Sequence, residues 1–290
     1  MVANSNPTAR KRRLGAELRR LRMTSGLKGT EVAERLLVSQ PKISHMENGR
    51  RAIRPRDVRD LCELYGVADQ QVVAYLMQMA KESSHQGWWR AYGDIPQGVY
   101  IGLETDATSL HTYQSLAIPD LLQTPAYAQA VIKATVPQLT AEQAATRLKV
   151  QLHRQRRIHD PACPLRLWLV LDESALRRVV GSPHLMREQL EHLNARAAEP
   201  HINVQVIPYT AGAHPGMTGQ FSILQFDDSA DPGVVHLERF TSDLYLEKPS
   251  DVQHYSMMYD HLQAHALNPD RTRDFISDAV QSHVNAARQR

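Results

Sequence analysis

The sequence predicts a multidomain chain: an all-α head of five short helices joined to a larger body of mixed α/β (α+β) type. Three observations predict it. Apolar residues recur at helical spacings of three and four through the first 80 or so residues. Candidate strands, rich in β-branched or aromatic residues, begin only at Leu165. Charge divides along the same line. Residues 1–60 hold 15 Lys+Arg against 6 Asp+Glu, a net of +9, so with +3 for the whole chain residues 61–290 carry −6.

The head is justified helix by helix. Residues 1–9 lack apolar periodicity and are expected to form a flexible arm, leaving 10–81 as the head. Leu14, Leu18 and Leu21 mark one buried face of the first helix, and Gly26 is a stop signal after it. Val32, Ala33 and Leu36 give a second helix, and Ile43 and Met46 a third. The fourth is entered through Pro55, carries Val58, Leu61, Leu64 and Tyr65 inward, and ends at Gly66. In the fifth, Val73, Leu76 and Met77 face inward. The polar stretch Lys81–Gly87 then breaks the periodicity and sets the expected domain boundary. Trp88 and Trp89 open the body, where they are expected to seed its core or seal a contact between domains.

In the body, 88–290, helices are expected over about 104–115, 119–133, 140–158, 172–179, 183–198, 250–266 and 271–287. Strands are expected at Leu165–Leu171, Asn203–Ile207, Phe221–Phe226, Val234–Arg239 and Leu244–Glu247. Helices separate the first two strands, which suits a βα arrangement. The last three follow closely, which suits an antiparallel meander.

Composition narrows the class. At 42% hydrophobic and 22% charged, 290 residues suit a soluble globular protein with a substantial core. No apolar run approaches the ~18 residues that span a bilayer, so no membrane partner is expected. The basic N-terminus lacks the apolar segment of a secretory signal. Cys62 and Cys163 have no partner spacing, which points to a reducing cytoplasm.

The run from Gly29 to Arg54 carries the functional signal. Two short helices joined by a tight turn, followed by basic residues, present a helix to the major groove of double-stranded DNA. Near the start of the third helix Gln40, Pro41, Ser44 and His45 point outward, the expected base-reading set. Gln pairs bidentately with adenine, Ser and His bond several base edges, and Pro offers apolar contact to a thymine methyl. Lys42, Asn48, Arg50, Arg51 and Arg54 are the expected phosphate set, fixing position and affinity without reading sequence. Arg10, Lys11, Arg12 and Arg13 are further candidates for phosphate or minor-groove contact. The helix cap is either Ser39, the better capping residue, or Gln40, which the position of Pro41 favours.

Residues 13–67 resemble the λ-repressor/Cro-like (XRE) DNA-binding domain, with Val38-Ser39-Gln40, Ile43-Ser44 and Glu47-Asn48-Gly49 as specific matches. The resemblance implies a five-helix bundle acting as a homodimer on a palindromic operator. Four positions depart from the pattern. Lys28 replaces a Thr/Ser cap, Gly29 a phosphate-contacting Gln, and Leu37 the turn glycine, while His45 stands where many relatives have Arg. Leu37 therefore implies a strained or rearranged turn. Residues 88–290 resemble the C-terminal half of a group of actinobacterial regulators, a domain of uncharacterised function known as DUF5753. The matching pieces are Gly87–Trp89, Tyr100–Glu104, Ile118–Tyr127, Arg154–Arg157, Leu171–Leu176, Met186–Leu190 and Ala266–Pro269. This resemblance implies regulation, with a small partner protein encoded nearby or a small-molecule effector as the controlling ligand.

Catalytic, cofactor and metal sites are not expected. Asp172-Glu173 looks like a carboxylate pair, but Asp172 is better placed as a helix cap. Tyr209–Gly219 is glycine-rich yet lacks a phosphate-loop lysine, leaving a lid over a pocket or an ordinary long turn. His254, His261 and His265 share one helical stripe, but they flank the apolar face of Val252, Tyr255, Tyr259, Leu262 and Ala266 and read as a polar border. The leading reading is a sequence-specific DNA-binding transcriptional regulator, not an enzyme. The alternatives are an antitoxin-like module that neutralises a partner protein and an enzyme domain with a DNA-binding appendage.

Overall fold

The computed structural model describes residues 9–49, 51–84, 87–93, 95, 97–227, 231–239 and 242–288. The expected arm, residues 1–9, lies outside them except for Ala9. The chain divides into two compact units, Met1–Asp106 and Ala107–Arg290. The sequence break at Lys81–Gly87 falls inside the first.

The first unit holds α1 (Ala9–Thr24), α2 (Gly29–Arg35), α3 (Gln40–Glu47), α4 (Pro55–Leu64) and α5 (Gln70–Ser84). After a 3-10 turn at Trp88–Tyr92 comes α6 (Gly98–Asp106), which packs on α1. Leu14, Leu18, Val32, Ala33, Ile43, Met46, Val58, Leu61 and Leu76 are buried in one core. Leu36, Val38, Leu64, Val73 and Met77 pack against it, half-buried. Trp88 stands edge-on to Trp89 and to Tyr92, at 6.0 and 6.1 Å between ring centres. Trp89 also lies against the start of α6, where a Cβ on Gly98 would sit 3.1 Å from the indole Nε1.

The second unit is built on a six-stranded mixed sheet. Its strands are β1 (Ser109–Gln114), β2 (Arg166–Asp172), β3 (Ile202–Ile207), β4 (Phe221–Gln225), β5 (Val234–Leu237) and β6 (Leu244–Leu246), in spatial order β3-β2-β1-β4-β5-β6. β1, β2 and β3 run parallel, and β4 to β6 form an antiparallel meander on the other side of β1. Five strands stand where the sequence puts them. The sixth, β1, corrects the helix expected over 104–115: α6 ends at Asp106 and the backbone turns extended at Ser109. β1 bonds β2 on one side and β4 on the other, so tertiary pairing overrides its weak local signal.

The helices of this unit are α7 (Pro125–Thr135), α8 (Ala141–Gln155), α9 (Glu173–Arg177), α10 (Pro183–Arg196), α11 (Pro249–His265) and α12 (Pro269–Arg288). The helix expected from residue 119 is instead a 3-10 turn, Asp120–Leu122, followed by α7, whose first turn is capped by the Thr124 hydroxyl. Tyr113, Val170, Ile207, Phe221, Ile223 and Val235 from five strands share a core with Val252, Tyr259 and Leu262 of α11. Leu167, Leu169 and Leu171, on the opposite face from Val170, are also buried, so both sheet faces are covered around Val170, while Trp168 on the Val170 face is 38% exposed.

A layer of glutamines ties the Ile118–Tyr127 segment to the helices. Gln189 of α10, fully buried, accepts the Thr124 N–H at 2.7 Å and donates to the Leu122 carbonyl at 2.8 Å. Gln151 of α8 donates to Gln123 at 2.6 Å, and Gln123 donates to the Ile118 carbonyl at 2.7 Å. Arg154 binds the Asp120 carboxylate at 2.8 Å. The polar atoms of a buried irregular segment are thereby satisfied.

Candidate nucleic-acid interface

The turn between α2 and α3 explains how they are presented. Leu36 caps α2, and the chain then enters the left-handed region at Leu37, φ +53°, the only described non-glycine residue to do so. The Leu37 N–H donates to Glu34 O at 3.1 Å and the Val38 N–H to Ala33 O at 2.9 Å. These are the paired bonds of a Schellman end, which glycine usually closes. Leu37 is 93% exposed, so its side chain gains nothing from burial to offset the backbone cost.

Both helix starts are capped. Ser39 is the N-cap of α3, its hydroxyl accepting the Lys42 N–H at 3.4 Å, with Pro41 in the first turn. At α2 the Lys28 side chain offers no acceptor, but the Glu31 carboxylate takes the Lys28 N–H at 2.6 Å. Half of a capping box thus survives the loss of the usual hydroxyl.

On α3, Ile43 and Met46 are buried, which turns the opposite face outward. Gln40, Pro41 and His45 are exposed and Ser44 is half-buried. Gln40 stacks over Ser44, and Pro41 over His45, one turn apart. Asn48 continues the first row, its amide donating to Ser44 Oγ at 3.3 Å. Asn48 therefore borders the expected base-reading set as well as standing where a phosphate contact is expected. Beyond α3, Gly49 turns left-handed at φ +64° and the Arg51 N–H returns to the His45 carbonyl at 3.1 Å. Arg51 and Arg54 are exposed, with Arg54 at the N-cap of α4. Arg50 lies outside the described residues. Lys42 is half-buried and its Nζ is 3.8 Å from Asp57 of α4, so the lysine is shared between that carboxylate and any anion.

The base of α3 is clamped by residues that sequence reading missed. Arg22 of α1 reaches Glu47 with Nε at 2.6 Å and Nη2 at 3.0 Å, and donates Nη1 to the Leu27 carbonyl at 2.8 Å. Gly15 of α1 lies so close to α3 that a Cβ would stand 2.5 Å from the carbonyl oxygens of Met46 and Glu47. A Cβ on Gly49 would be 2.8 Å from the Arg12 backbone. The legible signal was Gly15 itself, a helix-interior glycine beside the buried Leu14. The contact also sets Lys11 to Arg13 on a helix, against the end of α3; Arg13 is exposed, Lys11 and Arg12 half-buried. Burial, then Arg90, lower the Lys11 pKa.

The other candidates of the sequence lie in the second unit. Asp172 caps α9, accepting the Ser174 N–H at 2.8 Å, and its second oxygen is 3.4 Å from His214 Nε2. Glu173 binds Arg177 at 3.0 Å and takes the Tyr209 N–H at 2.8 Å. Both carboxylates are thus tied into the loop that follows β3. Within Tyr209–Gly219, Gly216 packs directly on the ring of buried Tyr113. His254, His261 and His265 are exposed along α11, beside buried Val252, Tyr259 and Leu262. Cys62 is buried and Cys163 exposed, both as free thiols.

An outward helix capped by serine, clamped at its base and set by a tight turn on a second helix defines a helix-turn-helix protein, and the helix-turn-helix domain model matches residues 13–76. A second model, a domain of unknown function named DUF5753, matches residues 97–278, more than half of the chain. The chain belongs to the DUF5753 family. Comparison with the curated proteins and with the solved structures found no match. Among the described residues no helix is long and apolar enough to cross a membrane.

Proposed function

We propose that this protein is a sequence-specific DNA-binding transcriptional regulator that acts as a dimer and is controlled through its second unit. One observation carries the reading. Gln40, Pro41, Ser44 and His45 form an outward surface on a helix whose other side is fixed by Ile43 and Met46. That surface suits the major groove, and the flanking Arg51 and Arg54 suit its phosphate edges. The net of +9 on residues 1–60 supports an anionic polymer at this end.

Two-fold operators read by paired heads require half-sites about one helical turn apart, so a change in the spacing of two heads is an effective control. A partner protein is preferred over a metabolite as the agent, on the resemblance of the second unit to regulators of that kind. Selection of bound duplexes from a randomised pool tests the DNA reading. A palindromic consensus supports a dimeric regulator, and a pool that gains no consensus overturns it. Co-purification that recovers no partner, beside a tight metabolite hit in a thermal-shift screen, would reverse the preferred mode of control.

A further inference from the structure

We propose a binding site for a divalent transition-metal ion, Zn²⁺ foremost, formed by His159, Glu199 and His201 in the second unit. Glu199 Oε2 stands 3.5 Å from His159 Nδ1 and 3.5 Å from His201 Nε2. One donor atom from each residue lies within 4.8 Å of the others. Two donors each ~2.1 Å from a tetrahedral ion are about 3.4 Å apart, so both carboxylate–imidazole separations already match an edge of that tetrahedron. Both separations are long for a hydrogen bond. His201 Nε2 is shielded from solvent and has no hydrogen-bond partner. A buried imidazole nitrogen aimed at a carboxylate without bonding it is what a ligand ion between them would satisfy.

The surroundings hold the donors in place. Arg196 Nη1 binds the other oxygen of Glu199 at 2.6 Å, fixing the carboxylate as an outer-shell partner does. The Ile202 N–H closes on the Glu199 carbonyl at 3.0 Å, and the His201 carbonyl accepts from Leu167 N at 2.8 Å. Glu199 and His201 are therefore set by the start of β3, while His159, beyond α8, is the most exposed of the three. Nearby on α10, burial and then Arg196 lower the His192 pKa, with Glu199 opposing. Two imidazoles and one carboxylate suit Zn²⁺ and its first-row neighbours rather than Mg²⁺ or Ca²⁺. The ion would tie the α8–β2 connection to the α10–β3 connection.

Untagged full-length protein, stripped with chelator, is titrated with Zn²⁺ against a chromogenic competitor, and Co²⁺ uptake is followed by its visible absorption. One ion per chain is expected, with Co²⁺ bands of four-coordinate intensity. Glu199→Gln and His201→Ala are expected each to weaken binding at least about tenfold while the far-ultraviolet dichroism stays unchanged. His254→Ala, on the α11 stripe, is expected to change nothing. Wild-type binding no tighter than that of the His159→Ala/His201→Ala double variant would overturn the site, as would an equal loss in His254→Ala. If both single variants lose secondary structure, the Co²⁺ spectrum of the wild type decides: bands of six-coordinate type, or none, reject the site.

Discussion

The Arg22 guanidinium grips Glu47 with two nitrogens, at 2.6 and 3.0 Å, joining α1 to the last turn of α3. The side chains are only 14% and 10% exposed, so solvent screens the pair little. The hydrogen bond to Glu47 raises the Arg22 pKa, and burial opposes it. Removing one partner would strand the other. Glu47→Ala is expected to destabilise the first unit by about 3 kcal/mol in urea unfolding, within the range for broken buried pairs. The Arg22→Met/Glu47→Leu double variant is expected to recover much of that loss.

Gly15 and Leu37 predict opposite responses. Gly15→Ala forces a Cβ against two backbone carbonyls at 2.5 Å that no side-chain rotation relieves. It is expected to cost about 2 kcal/mol or more and to weaken DNA binding by shifting α3. Leu37→Gly removes a side chain from a residue at φ +53° and is expected to stabilise the unit by about 1 kcal/mol. Thermal unfolding of the two variants checks both signs.

Gln189 predicts a different defect. Gln189→Met keeps the volume but leaves the Thr124 N–H and Leu122 carbonyl without their bonds inside the protein. The expected loss is about 2–4 kcal/mol, all of it in the second unit. Hydrogen exchange should localise it to the segment before α7.

Acid should weaken the second unit through His111. Its ring is stacked on Trp168 at 5.8 Å and meets the edge of Tyr259 at 5.2 Å. Burial lowers its pKa below 6.5, with Asp260 opposing and Arg166 adding to the shift. Between the lowered value and 6.5 the unfolded chain binds more protons than the folded one, so stability rises with pH there. The contribution is complete above 6.5 and falls away as pH drops toward the folded value. His111→Gln is expected to flatten that part of the stability–pH curve, measured by urea unfolding.

The helices of the head were legible because their apolar spacing is also their packing. Leu14, Leu18, Val32, Ile43, Met46 and Val58 are all inside. The meander was legible from its close spacing. β1 was not, because Ser109–Gln114 owes its form to β2 and β4, more than 50 residues later in the chain. The outward residues of α3 followed from the buried ones, but the Lys42–Asp57 pair and the Asn48–Ser44 bond did not. Neither did the Arg22–Glu47 clamp, for no period or motif couples residues 25 apart. The carboxylate and histidines around Glu199 were equally hidden, because His159 and His201 meet only through the βα crossover.

In the proposed function α3 reads bases while the arginines beyond it hold phosphate. Its most direct test is binding of the selected operator and of random duplex by His45→Ala and Arg51→Ala across a range of salt. His45→Ala is expected to lose discrimination at one base step, worth about 1–3 kcal/mol, with the salt slope unchanged. Arg51→Ala is expected to weaken both duplexes alike and to reduce the slope by about one. Equal effects of the two substitutions on operator and random DNA would overturn this division of roles.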